Sequence, residues 1–150
     1  MTARVRFVSA ALAFTLVALT AACNKSTTIP TPVLTTDTLS GTVNPQGSDF
    51  KTFTVQYTYS SSDAILTVTS LKSVATGAAL NITIGAGFGQ LAFDGSCTRS
   101  TTFTANAAAV GAPYNTSPNV PFGPGPYCVS VFDAGTLTEP VAYTVTVQHY

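Results

Sequence analysis

The stretch FKTFTVQYTY, residues 50–59, constrains the fold more than any other part of this chain. Phe53, Val55, Tyr57 and Tyr59 fall on one face, while Thr52, Thr54, Gln56 and Thr58 fall on the other. A period of two is the repeat of a strand with one face against a core, and it cannot lay down the apolar stripe of a helix. Val141, Tyr143, Val145 and Val147 repeat the pattern near the end of the chain. Further strands are expected at DTLSGTV (37–43), Ile65 to Leu71, Leu80 to Ile84, Thr98 to Thr104 and Tyr127 to Phe132. Clusters of turn formers separate them, notably Asn44-Pro45-Gln46-Gly47-Ser48-Asp49 and the loop from Asp133 to Pro140. Seven or eight short strands with no helical period between them predict an all-β protein, a single antiparallel β-sandwich or jelly-roll-like domain.

One interval departs from this rhythm. Ala105 to Pro126, ANAAAVGAPYNTSPNVPFGPGP, is too rich in Pro and Gly for a strand and longer than an ordinary connection. Long loops in compact domains are frequently functional, so Tyr114, Asn115, Asn119 and Phe122 are candidate binding residues. The competing expectation is a loop packed over one end of the sandwich.

The first 36 residues have a different character. A basic start with Arg4 and Arg6 leads into Phe7 to Leu19, thirteen residues that are apolar except for Ser9 and Thr15. Such a run is shorter than the roughly 20 residues that span a bilayer and has the anatomy of a secretory signal. Thr20, Ala21 and Ala22 then precede Cys23, and LVALTAAC resembles the lipobox of bacterial lipoproteins, although Leu19 stands four residues before the cysteine where the family usually has Leu three before. The resemblance implies residues 1–22 as a cleaved signal, Cys23 as an acylated amino terminus, and the lipid bilayer as a partner. Two or three acyl chains anchor stably, since each buried methylene contributes about 0.8 kcal/mol. A conventional signal with Cys23 as a spare thiol is the alternative. Asn24 in place of Asp resembles the outer-membrane sorting choice of Gram-negative bacteria. NKSTTIPTPVLTT, residues 24–36, reads as a tether reaching at most about 40 Å at roughly 3.1 Å per residue. Residues 37–150 form the expected domain.

Removing residues 1–22 leaves 128 of 150, enough for one domain with a real core. The remainder carries Lys25, Lys51, Lys72 and Arg99 against five aspartates and Glu139, four minus six charges, and no basic patch. Nucleic acid and anionic lipid surfaces are therefore poor partners. Threonine supplies the polarity that charge does not: 23 of the 128 are Thr, a β-branched residue suited to the solvent face of a strand. With Cys23 lipidated, Cys97 and Cys128 form a lone pair, for which an oxidising compartment favours a disulfide over two free thiols or a metal site.

Catalytic chemistry is limited by supply. His149 is the only histidine, and next to the end of the chain it is expected to be frayed and solvated, a poor member of a Ser-His-Asp triad. One His and two paired Cys cannot furnish a zinc site, and no calcium-loop spacing organises Asp37, Asp49, Asp94 and Asp133. Asp94 and Asp133, both at strand ends, are the candidate carboxylate pair for glycoside hydrolysis. ITIGAGFGQ, residues 82–90, has the glycines of a dinucleotide fingerprint but Gln90 at the third position and no helix after it, so these glycines are expected in a flexible turn or bulge. No cofactor or metal is expected.

Ser40 to Val43, Ser48 to Val55, Gly125 to Val131 and Tyr143 to Val147 together resemble the bacterial pre-peptidase C-terminal domain, over about residues 37–148. The family's Asp-Leu-Asp-Leu strand has no counterpart here, and the Cys97 and Cys128 pair is a departure from it. The resemblance implies a non-catalytic, jelly-roll-like appendage of the cell exterior. The expected function is accordingly that of a non-catalytic lipoprotein of the bacterial cell envelope, a binding or structural module with an envelope protein or a glycan as partner. The competing expectation is a carbohydrate- or matrix-binding module using the 105–126 loop.

Overall fold

The computed structural model describes residues 33–56, 64–115 and 123–150. Cys23, Tyr57, Tyr59, Asn119 and Phe122 lie outside these residues, as do the segment expected to be a signal and most of the expected tether. Eight strands are present among the described residues: β1 (Thr35–Val43), β2 (Ser48–Val55), β3 (Ile65–Ser73), β4 (Ile84–Leu91), β5 (Cys97–Ala108), β6 (Pro113–Asn115), β7 (Gly125–Phe132) and β8 (Val141–His149). They form two four-stranded sheets, ordered β1-β8-β3-β6 and β2-β7-β4-β5, with every pairing antiparallel. The protein is an all-β sandwich, as the alternation predicts.

The core is the sum of the alternating faces. In β8, Val141, Tyr143, Val145 and Val147 are buried while Ala142, Thr144 and Thr146 are half-exposed. In β2, Phe53 and Val55 point inward between exposed threonines. The outer face carries the threonine, where Ser40 and Thr144 share a hydrogen bond of 3.1 Å across neighbouring strands.

The glycine-rich segment departs from expectation. Residues 84–91 are a strand, with partners on both sides. Ile84, Ala86 and Phe88 face the core, whereas Gly85, Gly87 and Gly89 face outward beneath other groups. A Cβ at Gly85 would lie 2.2 Å from the Phe132 ring, and one at Gly89 would lie 2.6 Å from the Thr98 carbonyl and 2.9 and 3.0 Å from the two disulfide sulfurs. The glycines thus serve close approach rather than flexibility. The expectation of a bulge holds in part, because the register with β5 shifts between Ile84 and Ala86 and between Gly87 and Gly89. The strand expected at Leu80 to Ile84 is corrected: only Ile84 is in a strand, and Leu80 donates its N–H to the Leu71 carbonyl at 2.9 Å. The expected irregular loop begins later, because β5 continues through Ala108 and Pro113–Asn115 add a short edge strand.

Cys97 in β5 and Cys128 in β7 form a disulfide between the two strands that flank β4. The registers also sort the connections to two ends of the sandwich. The pairs Thr35 with His149, Val55 with Gly125 and Leu91 with Cys97 place the start of β1, the end of β2 and the β4–β5 turn at one end. The pairs Val43 with Val141, Ser48 with Phe132 and Ser73 with Val141 place the 44–47 turn, residue 74 and the 133–140 loop at the other.

Candidate functional site: a groove between two edge strands

β1 and β2, joined by the turn at 44–47, are each an outermost strand of their sheet among the described residues. At the end away from that turn, near Thr35 and Gln56, residues of both strands line a groove of about 540 Å³. Asp37, Leu39 and Val33 line one wall, Thr52, Thr54 and Gln56 the other, and Phe53, His149 and Tyr150 complete it. Its volume falls within the range of about 300–1,000 Å³ found for small-ligand sites, and its lining mixes polar and apolar groups.

His149 organises this groove, and the expectation that it is frayed is wrong. The period of two carries past Val147, so residue 149 occupies the last inward position of β8, only 4% exposed. Its ring packs against Phe53 with centroids 5.3 Å apart. Nε2 lies 3.0 Å from Asp37 Oδ2, and Nδ1 lies 3.3 Å from the Tyr150 carbonyl oxygen. Asp37 is itself at an inward position of β1, opposite Val147, which brings the carboxylate diagonally against the imidazole. Because both ring nitrogens face oxygen acceptors, neither is directed at a hydroxyl that it could deprotonate. The pair therefore supplies the base and carboxylate of a triad in composition but not in arrangement. What it does accomplish is orientation: the buried imidazole holds Oδ2, while Oδ1 takes no hydrogen bond among the described residues. The side chains of Thr38, Thr52, Thr54 and Gln56 likewise bond to no described residue, so the groove presents hydroxyls, an amide and one directed carboxylate oxygen around an aromatic floor.

Further along the same seam, the Tyr143 hydroxyl donates to Asp49 Oδ2 at 2.8 Å, and Lys51 Nζ stands 3.2 Å from that oxygen. Burial acts to raise the Asp49 carboxyl, but the bond from Tyr143 and the Lys51 ammonium outweigh it and hold the pKa below the ordinary value. Burial and the neighbouring carboxylate push the Tyr143 phenol well up. Gly41 makes room for this pair, since a Cβ there would lie 2.1 Å from Asp49 Oδ2.

The expected carboxylate pair is not a pair. Asp94 follows β4 and Asp133 follows β7, antiparallel strands in which Gln90 opposes Tyr127 and Gly85 opposes Phe132, so the two aspartates are at opposite ends. Six residues of strand separate them by on the order of 20 Å, against the 5–9.5 Å that glycoside hydrolysis needs. Asp133 instead ties loops together. Its Oδ2 accepts from Gln46 N at 2.8 Å and its Oδ1 from Gly135, Thr136 and Leu137 N at 2.8, 2.8 and 3.1 Å. These four donors, Gln46 first, lower its pKa to about 2. No group of three or more His, Cys, Asp or Glu side chains gathers among the described residues.

Of the residues expected in the binding loop, Tyr114 and Asn115 are in β6, which pairs with β3, and the Tyr114 hydroxyl donates to the Thr102 carbonyl at 3.5 Å. They stand on the edge opposite β1 in the same sheet and are not brought to the groove. The signal that reveals the groove was present in the sequence as the extension of the β8 period to residue 149. No family model matches this chain, and no curated protein matches it.

Proposed function

We propose that this protein is a non-catalytic lipoprotein of the bacterial cell envelope, held at the membrane through acylated Cys23, with the β-sandwich as a binding module. The observation that carries this reading is the passage from an apolar run through Thr20-Ala21-Ala22 into Cys23, followed by Asn24 and a Pro- and Thr-rich stretch. The Cys97–Cys128 disulfide supports it, because such bonds persist in oxidising compartments outside the cytoplasm. The low charge and threonine-rich strand faces suit the same setting. Substituting Cys23→Ala tests the anchor: the variant is expected in the soluble fraction of lysed cells, and retention of the variant in membranes would refute the lipid attachment.

The chemistry of the groove favours one ligand class, a neutral glycan. Sugars are recognised by hydroxyls, amides and carboxylate oxygens that meet their own hydroxyls, and Asp37, Thr52, Thr54 and Gln56 supply those groups. This reading moves the carbohydrate site from the 105–126 loop to the edge between β1 and β2. Affinity electrophoresis in gels containing cell-envelope polysaccharides tests it. Retardation lost in Thr54→Val and Gln56→Leu but kept in Tyr114→Ala supports the groove, and the reverse pattern supports the loop.

A further inference from the structure

The turn between β4 and β5 presents an aromatic side chain wholly to solvent. Phe93 is 114% exposed, although it belongs to a well-bonded turn. Ala92 N donates to the Ser96 carbonyl at 2.8 Å, and Gly95 N to the Ala92 carbonyl at 3.0 Å. Gly95 takes the positive φ of 81° that this reversal requires. Asp94 Oδ1 accepts from Ser96 N at 2.9 Å and from Ser96 Oγ at 2.7 Å. The backbone is therefore held, and Phe93 stands out from it without folding back onto the sandwich. A single exposed apolar side chain is ordinary on a protein surface; Phe93 takes its meaning from the end of the sandwich at which it is held.

The strand registers say which surface is within reach. The 92–96 turn is at the same end of the sandwich as Thr35, where the chain arrives from Cys23. Val33 and Leu34, also exposed, continue the apolar character beside that entry. Eleven residues separate Cys23 from Thr35, at most about 35 Å of extended chain. The sandwich itself, nine residues of β8 along its length, measures on the order of 30 Å. A lipid on Cys23 therefore brings the Phe93 end to the bilayer with tether to spare, whereas the far end would need almost the whole tether laid along the sandwich.

On the reading that Cys23 is acylated, we infer that Phe93, with Val33 and Leu34, rests in the interfacial region of the same bilayer and sets the orientation of the sandwich on it. The acyl chains supply the anchorage, and the aromatic side chain supplies a second, directional contact. With Asp94 adjacent and no basic patch at hand, the surface it suits is zwitterionic rather than anionic. The groove between β1 and β2 then opens close to the membrane plane, at the end occupied by Thr35, His149 and Gln56.

The chain contains no tryptophan, so a Phe93→Trp variant carries one unambiguous reporter. The full lipoprotein bearing this change is reconstituted into phosphatidylcholine vesicles, its acylation is verified by intact mass, and tryptophan emission is read with and without brominated lipid. Val74→Trp, half-exposed at the far end, serves as the comparison. The expected result is a blue-shifted emission for Phe93→Trp that loses most of its intensity to bromine, and an unshifted, unquenched emission for Val74→Trp. An acylated, vesicle-bound protein whose residue 93 emits as it does in water would overturn the inference while leaving the lipid anchor intact. A blue shift without bromine quenching would overturn it in favour of a protein surface over Phe93. Absence of the acyl mass would overturn the anchor and this inference together. Unchanged thermal melting of the variant excludes misfolding as a cause of any negative result.

Discussion

The disulfide permits the most quantitative prediction. Cys97 and Cys128 close a loop with a sequence separation of 31. On the chain-entropy relation, releasing that loop returns about 12 cal/mol/K to the unfolded chain, or about 3.7 kcal/mol at 25 °C. A domain of this size shifts by about 4 °C in melting temperature per kcal/mol, so opening the bridge lowers Tm by about 15 °C. Two perturbations separate the constraint from the packing. Reduction of the wild-type protein removes the covalent link but keeps both sulfurs above Gly89, whereas the double variant Cys97→Ala, Cys128→Ala removes the sulfurs as well. Cys128 is fully buried, so the double variant also loses packing and melts below the reduced wild type. Differential scanning calorimetry of the oxidised, reduced and double-variant proteins reads all three. A reduced wild type melting within about 4 °C of the oxidised form, the shift worth a single kcal/mol, would refute the reasoning, because the loop would then be constrained little by its closure.

Three further outcomes follow from particular contacts. Gly89→Ala and Gly85→Ala both overpack β4, at a cost of about 1–3 kcal/mol, but Gly89→Ala is expected to cost more in urea denaturation: above Gly85 lies a side-chain ring, Phe132, covered by the Arg99 guanidinium at 3.8 Å, whereas above Gly89 lie the Thr98 carbonyl of the backbone and the disulfide. Equal costs would show that the cover over Gly85 is as fixed as that over Gly89. Asp133 has its folded pKa depressed to about 2, so its contribution is complete above the ordinary carboxylate pKa and is lost as pH falls from about 4 toward 2; Asp133→Asn is expected to flatten that part of the acid stability curve, and an unchanged curve would remove Asp133 as its source. Tyr143→Phe deletes the bond to Asp49 and is expected to destabilise the fold by about 1 kcal/mol, a charge-assisted bond reduced by partial exposure, while raising the Asp49 pKa as followed by carboxyl NMR shifts; a pKa that does not rise would mean that Lys51 and the Phe50 N–H depress it without Tyr143.

What the sequence determined by itself was local and periodic. The alternation in β2 and β8, the turn at 44–47 and the 133–140 loop were legible because period-two patterning and turn chemistry are written in adjacent residues. The Cys97–Cys128 pairing was legible because few cysteines left few choices. The Gly85, Gly87 and Gly89 series suggests a flexible turn or a bulge, and the bulge is present, yet the glycines also alternate with Ile84, Ala86 and Phe88 in the same period of two; only the overlying Phe132 ring, Thr104 and disulfide, each distant in sequence, show why those positions exclude a side chain. The separation of Asp94 and Asp133 to opposite ends, and the meeting of Asp37 with His149 across 112 residues, likewise depend on strand order and register. Those are set by how two sheets share one core, a long-range property that no local stretch encodes. The chain thus specified which residues face inward, while the tertiary fold decided which of them meet and where the sandwich is left open.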